Sequence, residues 1–162
     1  MTVKNTRTGA VGALMDIYEA AISKLKTVIE DIPDDYLTVI LDPSTTDESC
    51  KTIQAILTHV VSSGYGYATS IHNLKGHNAK RPDKSFHLTI AEYTEELNNV
   101  FAYTENVFKE ISDDELEQFD DSLKIKAGWG QLYDIEQMTE HAIVHILRHT
   151  RQIARIKEQK LK

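Results

Sequence analysis

The stretch MTEHAIVHILRHTRQIARI, residues 138–156, carries three histidines at steps of four residues. Four residues make slightly more than one helical turn, so His141, His145 and His149 are predicted to follow one another along one side of a helix. An apolar seam in the same segment alternates steps of three and four residues, which is typical of a core-facing stripe. The seam runs through Ile135, Met138, Ala142, His145, His149, Gln152 and Ile156.

Two histidines and a glutamine thus occupy seam positions where leucine or isoleucine would be expected. Burying such polar groups costs free energy unless they are hydrogen-bonded or bind something. We therefore predict that the rest of the chain forms a frame around His145, His149 and Gln152.

Three other segments repeat the helical period. The first covers residues 10–32 and is ended by Pro33, which cannot continue a helix. The second is predicted to start near Thr45, which fits a capping box with the glutamate three residues later, and to close at Gly76. Residues 34–44 are interpreted as a segment that crosses between these two helices.

The third helix has the clearest start in the sequence. Thr89 and Glu92 fit a capping box, and Leu88 with Tyr93 fits the hydrophobic staple that packs across such a box. A helix is therefore predicted to begin directly after Thr89.

The fourth helix is predicted over residues 132–158, after an acidic connection. Four long amphipathic segments indicate an all-α fold, a four-helix bundle in a single domain over residues 1–162. We expect a crossover connection between helices 1 and 2 and a longer loop before helix 4.

Composition narrows the classes of partner. The 162 residues carry a net charge of -7, which argues against nucleic acid and anionic membrane as partners. One local group of cations stands near the end of the fourth helix, and we interpret these side chains as suited to the helix dipole. The group consists of Arg148, Arg151, Arg155 and Lys157.

Cysteine usage and hydropathy favour the cytoplasm. The one cysteine, Cys50, allows no disulfide within the chain, and its acidic neighbours do not favour a reactive thiol. No apolar run approaches the ~20 residues needed to span a bilayer, and Asp16 interrupts any signal-peptide core. We predict a cytoplasmic protein with no membrane partner.

The histidine spacing suggests a metal site. Two imidazoles four residues apart can bind one metal ion, and a third ligand would have to come from another helix. His59 is the only other histidine in the interior of a predicted helix, since His72, His77 and His87 lie at a helix end or in a loop. Periodicity gives mixed support, because it places His149 about 50° from the middle of the apolar face, His145 further round and His59 on a flank. A surface or hydrogen-bonded role for these histidines therefore stays open.

The same residues carry a resemblance to a known family. The segments HAIVHILRHTRQI, residues 141–153, and ILTHVVSSGYGY, residues 56–67, resemble the DinB/YfiT-like superfamily, whose members are four-helix bundles of about this length. The resemblance aligns His59 with the family's ligand on helix 2, and His145 and His149 with its HxxxH pair. It implies that these three histidines hold a divalent metal, commonly nickel or zinc, with positions left open for water. Many members are homodimers, so the resemblance also implies a homodimer.

The sequence departs from the family pattern at three positions. Val144 stands where members often have asparagine, Arg148 where they often have a second histidine, and Arg151 where they often have glycine. These differences remove no ligand but change the groups that orient the ligands and tune the metal. Gln152 matches the family's glutamine.

Four more residues near the expected site have two interpretations each. His141 is an extra histidine that we expect to be exposed, although a role beside the ligands is the alternative. Tyr65, Tyr67 and Trp129 could line a pocket, but we favour a place in the core, where aromatic residues at such spacings more often lie.

Two functions from different classes follow. The first is a metal-dependent enzyme, in which the metal lowers the pKa of a bound water or thiol. The resemblance implies a thiol S-transferase or a hydrolase that acts on a small molecule with a low-molecular-weight thiol as cofactor. The second is a non-catalytic bundle with a role in stress response or interaction, whose histidines bind metal weakly or hydrogen-bond to one another. No residue identifies a substrate.

Overall fold

The structure is a computed structural model that describes residues 7–162; the first six residues of the predicted domain lie outside it. Its four long helices are α1 Gly9–Ile29, α2 Ile53–Leu74, α3 Ile90–Phe108 and α4 Ile135–Lys160. A short antiparallel hairpin, β1 Ile125–Lys126 and β2 Leu132–Tyr133, lies before α4 and pairs Ile125 with Tyr133. The all-α four-helix bundle predicted from the sequence is confirmed.

The helices surround a core of aliphatic and aromatic side chains, and a smaller set of polar residues, most of them threonines, is buried with it. The extensive contacts join α1 with α3 and α4, and α2 with α3 and α4, so α1 lies diagonally across the bundle from α2. Residues 30–52 connect these diagonal helices. The most deeply buried large side chains are Tyr18, Leu25, Ile29, Leu37, Ile53, Ile56, Leu57, Ile71, Tyr93, Leu97, Met138 and Ile153.

The helices α2 and α3 run parallel. The hydroxyl groups of Thr58 and Tyr93 hydrogen-bond at 2.6 Å, and those of Thr69 and Tyr103 do so at 3.2 Å further along both helices. The segment over residues 77–88 must therefore return along α2 before α3 can begin. Tyr93 ties this arrangement together, because its hydroxyl also donates to the carbonyl of Gln54 and accepts from the backbone N–H of His87.

The second helix begins at Ile53, so the predicted start near Thr45 is wrong. The true N-cap is Thr52, whose side chain accepts a hydrogen bond from the backbone N–H of Ala55 at 2.9 Å. The segment around Thr45 forms local turns instead, in which the carboxylates of Asp42 and Asp47 each bond to a serine two residues later. Such side-chain bonds to nearby groups compete with helix formation.

The predicted end of α2 and start of α3 are confirmed. Gly76 adopts a φ of 91° just after α2, where residues with a side chain are strained. Thr89 and Glu92 form the predicted capping box. The predicted hydrophobic staple is absent, however, because the side chain of Leu88 is 71 % exposed while Tyr93 is buried.

The fourth helix starts at Ile135 and not at residue 132. Asp134 caps it through a capping box with Gln137, and the two residues before Asp134 belong to β2. The helix itself continues to Lys160, so both histidines of the HxxxH pair lie well inside it.

Candidate metal centre

The buried stripe of α4 differs from the seam traced in the sequence. It runs from Ala142 through Ile146 and Thr150 to Ile153, all of which are buried. His149 lies on this face with 3 % of its surface exposed, whereas His145 and Gln152 are only half-buried at its edge. The seam traced in the sequence therefore holds for His149 but not for His145 and Gln152, which lie at the border of the buried face.

This border of α4 faces the N-terminal half of α2. The ring of His59 lies 5.2 Å from that of His149, and the ring of Tyr67, two turns later on α2, lies 5.4 Å from that of His141. The two helices are therefore antiparallel, which places His59 opposite the HxxxH pair. Residue 59 is held at this level because its neighbour Thr58 is hydrogen-bonded to Tyr93 of α3.

The structure brings the three predicted ligands together. The Nε2 atom of His145 lies 2.9 Å from that of His59 and 3.2 Å from that of His149. Zinc–nitrogen bonds of about 2.1 Å at tetrahedral angles would separate the ligand nitrogens by about 3.4 Å. These two separations are within a few tenths of an ångström of that value, and the three ligand nitrogens all lie within 4.8 Å of one another, so the group could hold a metal.

The ring orientations suit a common ligand. The plane of His145 is inclined by 67° to that of His59 and by 75° to that of His149. The lone pair of an imidazole nitrogen lies in the ring plane, so steeply inclined rings can direct their lone pairs at one point. Hydrogen bonds among the three neutral imidazoles would not pair all three Nε2 atoms well, because a single N–H on His145 can be donated to only one of its two neighbours.

Gln152 sets the tautomer of His149. The Nδ1 atom of His149 lies 2.8 Å from Oε1 of Gln152, one turn further along α4. With the amide in this orientation, Nδ1–H donates to the amide oxygen, so the proton of a neutral ring is on Nδ1 and the lone pair is on Nε2. A hydrogen bond of this kind fixes both the tautomer and the orientation of metal-binding histidines.

Burial keeps the three imidazoles neutral. It lowers the pKa of His145 to about 3, with additional lowering by the positive charges of His149 and His59 in their protonated forms. Burial is also the main cause that lowers the pKa of His59 and of His149, while the bond to Gln152 partly opposes the shift for His149. Neutral imidazoles are the form that binds metal ions, so the ligand set is ready at neutral pH.

The extra histidine is not the exposed residue that we expected. His141 is half-buried, and its ring stacks on that of Trp129 with a centroid distance of 4.6 Å. Tyr67 contacts the rings of both His141 and His145. The ring of His141 makes aromatic contacts, and its centroid lies 6.5 Å from that of His145. His141 is therefore adjacent to the three-histidine group but not part of it.

The expectation that the three aromatic residues belong to the core is wrong for Trp129, whereas Tyr65 and Tyr67 are both half-buried and pack against the core. Trp129 is 49 % exposed and covers His141, and Tyr67 is half-buried next to the histidine group. Tyr65 packs on Tyr103 at the edge of the core, as predicted. The hairpin explains the difference, because it brings Trp129 against α4 from a region with no helical periodicity.

Two cavities adjoin the histidine group. One, of about 310 Å³, is lined by His59 together with Thr58, Lys84 and Phe86. The other, of about 590 Å³, reaches Gln152, the residue that holds His149. A small molecule could therefore approach the group from either side.

A comparison with protein-family models matches the DinB superfamily over residues 17–153. The chain belongs to the DinB superfamily. The matched range contains the three histidines and Gln152, and it confirms the family resemblance seen in the sequence. Comparisons with curated proteins and with solved structures gave no match. Within residues 7–162 of this DinB protein, no helix is both long and apolar enough to cross a membrane.

A second histidine group was missed in the sequence. His72, at the end of α2, stacks on His77 with a centroid distance of 3.7 Å, and Nε2 of His77 lies 2.7 Å from a carboxylate oxygen of Glu110. Their ligand atoms are close enough to be considered for a metal ion. The sequence gave little warning, since these residues come from a helix end, a loop and the segment after α3.

Proposed function

We propose that His59, His145 and His149 bind one divalent metal ion, nickel or zinc, and that the site is catalytic. The observation that carries this proposal is the approach of three Nε2 atoms from two helices, at 2.9 and 3.2 Å, on the border of the core. Membership of the DinB superfamily supports it. A three-histidine site that leaves positions for water resembles catalytic sites, because structural zinc sites are usually closed by four protein ligands.

Two reactions fit this site best. One is the transfer of a low-molecular-weight thiol to a small molecule, and the other is the hydrolysis of a small molecule. A bound divalent ion would act as a Lewis acid and would lower the pKa of a coordinated thiol or water. The protein's own groups would position the reactants. Gln152 orients His149, and Tyr67 and Trp129 limit the approach of water from the side of His141.

Metal content tests the first half of the proposal. Untagged protein, purified under metal-replete and neutral conditions, should contain about one nickel or zinc ion per chain by mass spectrometry. His149→Ala should lose the ion, whereas His77→Ala should keep it. Protein without metal under these conditions would leave the non-catalytic bundle as the better explanation.

Activity tests the second half. Protein loaded with nickel or zinc should be assayed with cysteine or glutathione and an electrophilic aryl halide, and separately with an ester. Thiol conjugation or hydrolysis that disappears together with the metal in His149→Ala would support an enzyme. A fully loaded protein that accelerates neither reaction would contradict the proposed reaction classes while leaving the metal site intact.

The homodimer implied by the family stays a prediction. Light scattering coupled to gel filtration measures it directly, and a monomer mass of 18.4 kDa would contradict it.

A further inference from the structure

The larger cavity beside the histidine group is lined by four cationic side chains. It has a volume of about 590 Å³ and lies between the C-terminal half of α4 and the segment around residues 41–50. Its cations are Arg148, Arg151, Arg155 and Lys160, and its one carboxylate is Asp42. The oxygen of Asp42 is already engaged by the hydroxyl and the backbone N–H of Ser44. The lining is therefore strongly positive in a chain whose net charge is -7.

The three arginines have no counter-ion within the described part of the chain. Arg148, Arg151 and Arg155 are exposed, and no ion pair or hydrogen bond from their side chains is found among residues 7–162. Arg7 behaves differently, since it forms ion pairs with Asp16, Glu19 and Glu105. Carboxylates outnumber cations in this sequence by 25 to 18, so unpaired arginines are not explained by a shortage of acidic partners.

The helix dipole does not account for these arginines. Its effect falls off within the last turn of a helix, and α4 ends at Lys160. Arg148 and Arg151 lie two or more turns before that end. The dipole explains Lys157 better: it lies in the last turn, and its ammonium group donates to the carbonyl of Val28 and pairs with Asp31, away from the cavity. Like charges three and four residues apart also repel one another along the helix, so the arrangement has a cost in stability.

The cavity is connected to the histidine group through two residues. Gln152 lines the cavity and hydrogen-bonds to His149. Arg148 also lines it, and its positive charge is one of the causes that lower the pKa of His59, His145 and His149. A molecule bound in the cavity would therefore lie next to the proposed metal site.

We propose that this cavity binds an anionic small molecule through a carboxylate or phosphate group held by Arg148, Arg151 and Arg155. Guanidinium groups bind both kinds of oxyanion in a bidentate manner, and the three unpaired arginines line the same cavity. The inference rests on the proposed function in one respect: it assigns a negative charge to the substrate or the thiol cofactor of that site.

The test is an NMR titration of isotope-labelled protein with inorganic phosphate and, separately, with succinate, at constant ionic strength. Each titration is run on protein as purified and on protein treated with a chelator. We expect saturable shifts of the amide signals around the cavity, which persist without metal. The variant Arg151→Gln/Arg155→Gln should raise the Kd at least about tenfold, because bidentate charged hydrogen bonds are lost. Tighter binding of phosphate or of succinate identifies the preferred oxyanion.

The matched control is Lys157→Gln, which removes the same type of charge from the same helix outside the cavity. It should change the Kd by less than about twofold, since only screened long-range attraction is lost. Absence of saturable binding of both anions, or an equal loss of affinity in the control, would overturn the anion site. Anion binding by a protein that takes up no metal would instead count against the proposed function alone. Thermal melting of each variant checks that its fold is retained.

Discussion

Residues 7–162 contain two groups of histidines whose ligand atoms lie close together, and the groups differ in the orientation of their rings. In the group of His59, His145 and His149, the rings come from two packed helices and are inclined by 67–81° to one another. In the second group, His72 and His77 stack with planes only 9° apart.

Ring orientation decides what each group can bind. The rings of His72 and His77 are nearly parallel with their centroids 3.7 Å apart, so their in-plane lone pairs converge poorly on one ion, whereas those of steeply inclined rings can converge. The second group also lies at the surface, where His77 pairs with Glu110. We infer that proximity of histidines is not enough for a metal site, and that the helices of the first group supply the orientation.

The largest expected effect separates the two groups directly. His145→Ala removes the nitrogen that lies between the other two, so metal affinity should fall at least about 100-fold, more than is typical for loss of a supporting residue. His77→Ala should leave the Kd within about twofold, because the residue is far from the first group in the bundle. Competition with a chromogenic chelator measures both. Equal losses in the two variants would show that the groups had been assigned wrongly.

A smaller effect is expected at Gln152. Gln152→Leu keeps the volume but removes the acceptor for Nδ1–H of His149, so the ring loses its fixed tautomer and metal affinity should fall about 10- to 100-fold. The control is Gln159→Leu, an exposed glutamine on the same helix. Unchanged affinity in Gln152→Leu would mean that packing alone orients His149.

The dependence of the free energy of unfolding on pH should reflect the protonation of the first group. An unfolded histidine titrates near pH 6.5, whereas burial lowers the pKa of His145 to about 3 in the folded chain. Below about pH 6.5 the unfolded state therefore binds more protons, and the free energy of unfolding falls as the pH falls. Urea denaturation from pH 7 to 5, in the presence of a chelator, should show this decline in the free energy of unfolding, and the decline should be smaller in His145→Leu. An identical slope in the variant would contradict burial of a neutral imidazole.

The smallest effect is expected at His141, and this variant tests whether the ligand set of the first group ends at His145. Its ring contacts Trp129 and Tyr67 but lies 6.5 Å from that of His145, so His141→Ala should change metal affinity by no more than about threefold. The same chelator competition measures it. A loss as large as that of His145→Ala would make His141 a ligand.

The predictions from sequence succeeded where a signal was local. The capping box at Thr89, the turn at Gly76 and the helical periods depend on residues a few positions apart, and these features are all present. The start of α2 was misplaced because Thr45 and Glu48 match a capping box, whereas local bonds made by Asp42 and Asp47 hold this segment in turns and Thr52 caps the helix. The hairpin before α4 was missed because strands of two residues have no detectable period.

The candidate metal site could be predicted only in part, because local signals do not show which distant segments pack together. The spacing of His145 and His149 follows from the chain, but the place of His59 came from family resemblance, since periodicity put it on a flank. A flank position becomes part of a site only when another helix lies against it. The stacking of Trp129 on His141 and the cavity beside the arginines of α4 also depend on packing between distant segments.

By itself the sequence determined four amphipathic helices, the HxxxH pair and the family to which the chain belongs, because periodicity and motif spacing are properties of neighbouring residues. The tertiary structure decided that α2 lies antiparallel to α4, which brings Nε2 of His59 within 2.9 Å of Nε2 of His145, and that the ring of His72 stacks nearly parallel on that of His77. The physical reason is that a period states which face of a helix is buried, whereas the partner of that face is selected by the packing of the whole core.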